Sequence, residues 1–174
     1  MKTEFEKKLK ELDFSFHCHT DDFYILNQNN DTNSILNVHF IMSEPVDEVI
    51  HGSRNNNEIQ AIGYFKLEFQ TEVKEPDFFI LAFRNTSNHS VEFIIIPKKE
   101  LMRRLNKENR ISTDNQGIEI EFWLTPDKCL YETKDVGVEW EWFYMSKGQN
   151  GRLADKTDWC YTKFLNGWDR LKMA

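Results

Sequence analysis

A short stretch near the N-terminus, His17-Cys18-His19-Thr20-Asp21-Asp22, concentrates side-chain types that bind metal ions. On a β-strand His17 and His19 point to the same face, so their imidazoles can start a zinc or iron site. A structural zinc site needs about four protein ligands and a catalytic one about three. The sequence shows no second cluster of cysteine or histidine. The pattern therefore favours half-exposed strand histidines, with metal chelation as the alternative.

Two acid pairs follow the alternation of a β-strand, Glu119 with Glu121 and Glu139 with Glu141. Carboxylates that meet in a cleft split their pKa values and can act as general acid and base. Alternation alone, however, places such carboxylates on the solvated face of a sheet. We expect a solvated face, with a catalytic dyad as the alternative. The chain has no GxSxG, GxGxxG or P-loop pattern, which argues against the enzymes built on those motifs.

A basic segment lies in the middle of a chain whose net charge is −7. Its cationic residues are Lys98, Lys99, Arg103, Arg104, Lys107 and the nearby Arg110. At about 100° per residue, Lys99, Arg103 and Lys107 share one helix face while Leu101 and Leu105 share another. Such a stripe can contact nucleic-acid phosphates, which supplies affinity and little sequence specificity. The pattern by itself favours an ordinary solvated helix face, with phosphate contact as the alternative.

The elements that must position these residues follow from the spacing of apolar side chains. Residues 3–12 are expected to form an amphipathic helix, and a second helix starts at Pro97 and runs to about Lys107. A C-terminal helix is predicted from a stripe of large side chains, Tyr161, Phe164, Leu165, Trp168 and Leu171. The predicted strands are Phe14–His19, Phe23–Leu26, Ile35–Met42, Ile59–Phe69, Phe78–Arg84, Val91–Ile96, Ile118–Phe122 and Val138–Trp142. The polar stretch Glu44–Glu58 is predicted to be a long loop.

Consecutive groups of strands with helices at both ends and in the middle indicate the α+β class. We expect a mixed, largely antiparallel sheet flanked by N-terminal, middle and C-terminal helices, in a single domain over residues 1–174. The longest apolar run, Phe78–Phe83, is far below the roughly 20 residues of a membrane span. The charged N-terminus lacks the apolar core of a secretory signal, which favours a cytoplasmic location. The widely spaced Cys18, Cys129 and Cys160 are expected to be reduced thiols, mostly buried.

The order of these elements resembles the restriction-endonuclease-like superfamily, the PD-(D/E)xK nucleases. The residues that carry the resemblance follow the opening helix and span most of the chain. They are Asp22–Leu26, Gly63–Leu67, Pro76–Phe83, Phe93–Leu101 and Phe164–Leu171. The stretch from Phe93 to Leu101, with its "IIP..EL" ending, is the strand-to-helix passage of small members of that superfamily.

The resemblance implies a metal-assisted phosphodiesterase, in which an Asp and an acidic or Gln residue hold Mg²⁺ and a Lys two residues later positions the attacking water. On this chain the Asp corresponds to Asp22, a catalytic and metal-binding candidate, and the other two positions correspond to Asn37 and His39. A neutral amide contributes less charge to a hard cation, and histidine is a weaker cation than lysine at neutral pH. Other alignments use Asp47 with Lys66, or the triplet Glu72-Val73-Lys74, and none completes the site.

The sequence thus predicts a nuclease-like domain with a degenerate metal site, acting as a nucleic-acid-binding or accessory protein of a bacterial restriction or defence system. No cofactor is expected, or Mg²⁺ if the domain is active. One alternative is an active Mg²⁺-dependent nuclease built on Asp22, Asn37 and His39. A second is a protein-interaction module that uses the aromatic residues Trp140, Trp142 and Trp168, although large aromatics more often belong to a core. No membrane partner is expected.

Overall fold

The computed structural model describes residues 1–28, 35–45, 59–67, 75–107, 117–133 and 160–172. Within these ranges the chain forms eight strands, three α-helices and one 3₁₀ helix. The strands are β1 (Phe14–Cys18), β2 (Phe23–Gln28), β3 (Ile35–Met42), β4 (Ala61–Leu67), β5 (Phe78–Arg84), β6 (Val91–Pro97), β7 (Ile118–Leu124) and β8 (Leu130–Thr133). The helices are α1 (Lys2–Glu11), α2 (Lys98–Lys107), the 3₁₀ helix Thr162–Phe164 and α3 (Asp169–Lys172).

The strands are divided between two sheets. A five-stranded sheet has the order β1-β2-β3-β5-β6, and a three-stranded sheet has the order β4-β7-β8. Every pair of neighbouring strands is antiparallel except β3 and β5, which are parallel. Parallel neighbours need a crossover connection, and here the crossover carries β4 into the second sheet. The α+β class and the mixed, largely antiparallel sheet are therefore confirmed.

The five-stranded sheet has an apolar core on each face. On one face, alternate residues of β5 and β6 pack against the inner side of the three-stranded sheet and against Leu101 and Leu105 of α2. On the other face, α1 inserts Phe5 and Leu9 against β2, β3 and β6. Because β5 and β6 are covered on both faces, they are apolar at nearly every position. This explains the unbroken apolar run that begins at Phe78.

Most elements lie where their apolar spacing predicts. The strands β3 and β5 have the predicted bounds, and α2 begins directly after the strand that ends at Pro97. The strand β8 was not predicted, because four residues are too few to show a period. The expected strand Val138–Trp142, with Trp140 and Trp142, lies outside the described residues, as does most of the predicted loop Glu44–Glu58. All three cysteines are free, but only Cys160 is buried.

The prediction of one continuous C-terminal helix is wrong. The short 3₁₀ helix ends at Phe164, Leu165 is extended and pairs with Ile94, and α3 starts only at Asp169. The reason is that the segment passes around the edge strand β6. Phe164 joins the core between the two sheets, whereas Trp168 and Leu171 join the core beneath α1. Two cores therefore produce a spacing that imitates one helix face. Trp168 is a core residue, as expected.

Candidate nucleic-acid interface

Asn37, one of the three candidate catalytic residues, is built into the framework of the sheet. Its side chain is buried, and its Nδ2 donates to Oδ2 of Asp77 at 3.1 Å. Its backbone N–H donates to the same oxygen at 2.8 Å, and its carbonyl accepts from the backbone N–H of Asp77 at 2.7 Å. These three bonds join β3 to the start of β5. The Asn37 amide thus has a structural role in joining these two strands.

His39, the candidate that follows Asn37 on β3, lies between two aromatic rings. Its ring centroid is 5.2 Å from that of Phe23 on β2 and 5.7 Å from that of Phe79 on β5. The side chain is half-buried. Asn37 and His39 are two residues apart on β3, so they share one face of the sheet.

Asp22 lies on the turn before β2 and is exposed. Its carbonyl accepts from the backbone N–H of Phe40 at 2.7 Å, so the β2–β3 pairing continues to this residue. Residues opposite each other in an antiparallel pair point to the same face. Phe40 belongs to the core beneath α1, whereas Phe79 beside His39 belongs to the core between the sheets. Asp22 is therefore bonded through its backbone to a residue of one core, whereas His39 lies against a residue of the other.

The other metal-site hypotheses find no support in the described residues. Lys66 lies on the outer face of β4, where its Nζ is 3.1 Å from Oε2 of Glu44, while Asp47 and the triplet Glu72–Lys74 lie outside the described ranges. His17 and His19 are both exposed. Across the described part of the chain, no three His, Cys, Asp or Glu side chains are grouped as metal ligands.

The acid pair on β7 faces away from the core, on the outer side of the three-stranded sheet. Glu119 is opposite Lys66 and Glu121 is opposite Tyr64 in the β4–β7 register. A hydrogen bond to Glu119 raises the pKa of Tyr64 to about 12, because the neutral phenol is the form that donates to a carboxylate. The pair contributes to a polar ladder across two strands. The second pair, Glu139 and Glu141, lies outside the described residues.

The middle helix α2 presents cations on its outer face, as its spacing predicts. Leu101 and Leu105 are buried, whereas Lys99 is exposed and the side chain of Arg103 is 49% exposed. At the start of the helix, Lys98 Nζ is paired with Oε2 of Glu75 at 2.6 Å. Lys107 is the last residue of the helix. Of the five predicted phosphate ligands, Lys99 and Arg103 are thus on the outer face.

Arg104 has a different environment from the other cations of α2. Its side chain is 6% exposed, and its Nη1 donates to the backbone carbonyl of Cys160 at 2.9 Å. The guanidinium carbon is 4.5 Å from the centroid of the Tyr161 ring and 5.2 Å from that of Phe164. Stacking on aromatic rings while donating hydrogen bonds is a typical role of a buried arginine. Arg104 therefore holds the C-terminal segment against α2 and is not displayed on the helix surface.

The carboxylate of Glu100 interacts with three cationic side chains. Its Oε2 accepts from Nε of Arg103 at 2.9 Å, its Oε1 accepts from Nε of Arg104 at 3.0 Å, and Lys163 Nζ is 3.7 Å from Oε1. The hydrogen bond from Arg103 lowers the pKa of Glu100 to about 2, with Arg104 adding to the shift and partial burial opposing it. The carboxylate is thus surrounded by cations from two segments of the chain.

Two further cations, which the sequence reasoning missed, join this surface from the C-terminal segment. Lys163 is 56% exposed and its Nζ is 4.8 Å from the centroid of the Phe164 ring. The guanidinium of Arg170 is 4.9 Å from the same centroid, and its Nη2 donates to the carbonyl of Lys163 at 3.2 Å. We define the basic surface as Lys99, Arg103, Lys163 and Arg170. In the sequence, Lys163 and Arg170 are visible only as cations within the aromatic stripe of the C-terminal segment. That pattern does not reveal a contact with α2.

Comparison of the chain with models of known protein families, with curated proteins and with solved structures found no match. No helix in the described ranges has the length and apolarity needed to cross a membrane.

Proposed function

We propose that this chain is a nuclease-like domain that binds nucleic acid through the basic surface and does not hydrolyse it. The observation that carries the proposal is the meeting of α2 and the C-terminal segment around Glu100. That contact gathers cations from residues about sixty positions apart into one patch of a chain whose net charge is −7. Lysine and arginine clusters of this kind bind the phosphate backbone and release its counterions.

The absence of hydrolysis is supported by the surroundings of the two changed site positions. The Nδ2 of Asn37 is directed to Asp77, and His39 is packed between Phe23 and Phe79. Asp22 lies outside β2, on the exposed turn before it, and its carbonyl is bonded to the backbone of Phe40. Phosphodiester hydrolysis by this route needs the metal ligands and the lysine around one point. These side chains therefore support a scaffold role for the region.

The nuclease-like assignment of the fold is part of the same proposal. It is supported by the helix α1 packed on a mixed sheet, by the position of Asp22 at the start of β2, and by the direct passage from β6 into α2 at Pro97. Function on such a fold depends on the side chains that it carries. Here those side chains favour phosphate contact, and the role of accessory protein in a restriction or defence system follows as an extension of the proposal.

Charge reversal tests the basic surface directly. We expect the double variant Lys99→Glu with Arg103→Glu to abolish binding of a fluorescent 20-nucleotide DNA, single- or double-stranded, and of the matching RNA in an anisotropy titration. Each phosphate contact that is lost lowers the slope of log K against log salt by about 1. Arg104 stays unchanged in this design because it is buried.

A matched control carries the same charge change on the opposite side of the five-stranded sheet. Lys7 and Lys10 are exposed on α1, and Lys7→Glu with Lys10→Glu alters the net charge equally. Loss of binding in the α2 variant with near-normal binding in the α1 variant supports the proposal. Equal effects of the two variants would indicate nonspecific dependence on net charge and overturn the assignment of the surface.

A further inference from the structure

The side chain of Asn166 ties the C-terminal segment to the edge of the five-stranded sheet. Its Oδ1 accepts from the backbone N–H of Phe93 at 3.1 Å, and its backbone N–H donates to the carbonyl of Phe93 at 2.7 Å. Its Nδ2 donates to Oε2 of Glu92 at 2.7 Å. Asn166 has a φ of 49°, in the left-handed region, where asparagine is one of the few tolerated non-glycine residues. The amide thus fixes the point at which the segment turns.

Glu92 is the buried partner of this contact and is held by several other groups. It is 5% exposed. Its Oε1 accepts from Ser90 Oγ at 3.0 Å and from Asn85 Nδ2 at 3.4 Å, and lies 3.3 Å from Nζ of Lys128. Ser90 and Asn85 belong to the β5–β6 turn, and Lys128 belongs to the β7–β8 turn. Its Oε2 therefore presents Asn166 with an acceptor that both sheets hold in place.

The turn at Asn166 sets the separation of two members of the basic surface. Lys163 precedes the turn and Arg170 follows it, and the guanidinium of Arg170 returns to the carbonyl of Lys163 at 3.2 Å. Gly167 allows this approach, since a Cβ there would lie 3.2 Å from Nε of Arg170 and 3.3 Å from the Lys163 carbonyl. Both cations lie over the ring of Phe164. The position of the pair depends on where the turn is fastened.

We propose that Asn166 is a positioning residue for nucleic-acid binding, which holds Lys163 and Arg170 in the basic surface through its hydrogen bond to Glu92. This inference rests on the proposed function. Asn166 contacts no phosphate itself in this scheme. Its role is to keep the two C-terminal cations beside those of α2, so that all four can engage one nucleic-acid backbone.

The test exchanges the donor and the acceptor of the 2.7 Å hydrogen bond between Asn166 and Glu92. In Asn166→Asp the new carboxylate faces that of Glu92. Because the two carboxylates repel each other, we expect the turn to move away from Glu92. We expect binding of a 20-base-pair DNA to weaken by about 10- to 60-fold at 0.1 M salt, with a salt slope smaller by about 2, as for two lost phosphate contacts. Adding Glu92→Gln supplies a donor to the new carboxylate on the turn and keeps the acceptor used by Ser90 and Asn85. The double variant should recover the affinity and the slope.

Asn27→Asp is the matched control, since Asn27 is exposed on β2, separated from β6 by two strands, and the variant adds the same charge without touching the turn or α2. We expect it to keep the slope of the original protein. If the Asn166 contact served stability alone, Asn166→Asp would lower the unfolding midpoint but leave the salt slope of DNA binding by the folded protein unchanged. That result would overturn the inference. Failure of the double variant to recover the slope would overturn it too. Absence of DNA binding by the original chain would instead refute the proposed function.

Discussion

The guanidinium carbon of Arg104 lies 4.5 Å from the centroid of the Tyr161 ring, and this contact joins α2 to a segment that follows it by more than fifty residues. The same guanidinium donates to the carbonyl of Cys160 and to Glu100. The core between the sheets, the buried arginine and the basic surface therefore form one continuous arrangement. Its stability and its charge can be tested separately.

Arg104→Ala should destabilise the protein by about 3 kcal/mol, because it leaves a buried carbonyl and part of a carboxylate without a donor. Arg103→Ala is the matched control, since it removes an arginine that pairs with the same Glu100 but is 49% exposed. It should cost about 1 kcal/mol or less. Urea unfolding followed by tryptophan fluorescence measures both. Equal losses of stability would contradict the structural role assigned to Arg104.

The cluster at Glu100 predicts a specific loss of stability in acid. Its pKa is lowered from 4.5 to about 2 in the folded chain, so its contribution is present above the unfolded value and is lost as pH falls through the folded value. Glu100→Gln removes about 2–3 kcal/mol at pH 7 by this linkage. The difference from the original protein should therefore shrink between pH 5 and pH 2, in the range set by these two values.

Glu11→Gln is the control for this pH series, because the pairs that Glu11 forms with Lys7 and Lys8 are exposed. Exposed pairs of this kind contribute little to stability. Unfolding midpoints of the three proteins are compared at each pH. A difference between Glu100→Gln and the original protein that stays constant down to the lowest pH would refute the assigned ionisation.

Asn37→Asp, which restores the acid expected of a nuclease, should destabilise this protein and not activate it. The new carboxylate would face Oδ2 of Asp77, which now accepts from Asn37 Nδ2 at 3.1 Å. Two close carboxylates cannot both ionise readily, so a pKa of the pair is raised and stability falls as pH rises through it. We expect a lower melting temperature at pH 7 than at pH 4.

The control for this substitution is Asn27→Asp, at an exposed position of β2 in the same sheet. It adds the same charge and should change the melting temperature little at either pH. Cleavage of DNA in Mg²⁺ by Asn37→Asp would show that the site needs only one acid to function. That result would contradict the scaffold role proposed for Asn37 and His39.

Local spacing was sufficient to predict elements that bury one face against a neighbouring layer and expose the other. Period-two alternation located β7, and helical spacing located α1 and α2. The path of the C-terminal segment around β6 could not be predicted in this way. Phe164 and Trp168 belong to different cores, so no single period describes both. Tertiary contact overrode the local pattern there.

The basic surface was predicted in part for the same reason. The helical spacing identified Lys99 and Arg103, which are exposed. It grouped Arg104 with them, because that residue lies at the border of the apolar face and its burial depends on residues distant in sequence, among them Tyr161 and Phe164. Lys163 and Arg170 reach the surface through the turn at Asn166, which depends on Glu92. Contacts of this range have no signature in one sequence.

One titration shows whether the chain binds nucleic acid electrostatically without hydrolysing it. The original chain is added to a fluorescent 20-base-pair DNA at several salt concentrations with Mg²⁺ present, and the same samples are run on a denaturing gel. We predict binding that weakens as salt rises, with a slope of about −3 to −4 for four phosphate contacts, and intact DNA on the gel. Binding that ignores salt, or cleaved DNA, would contradict it.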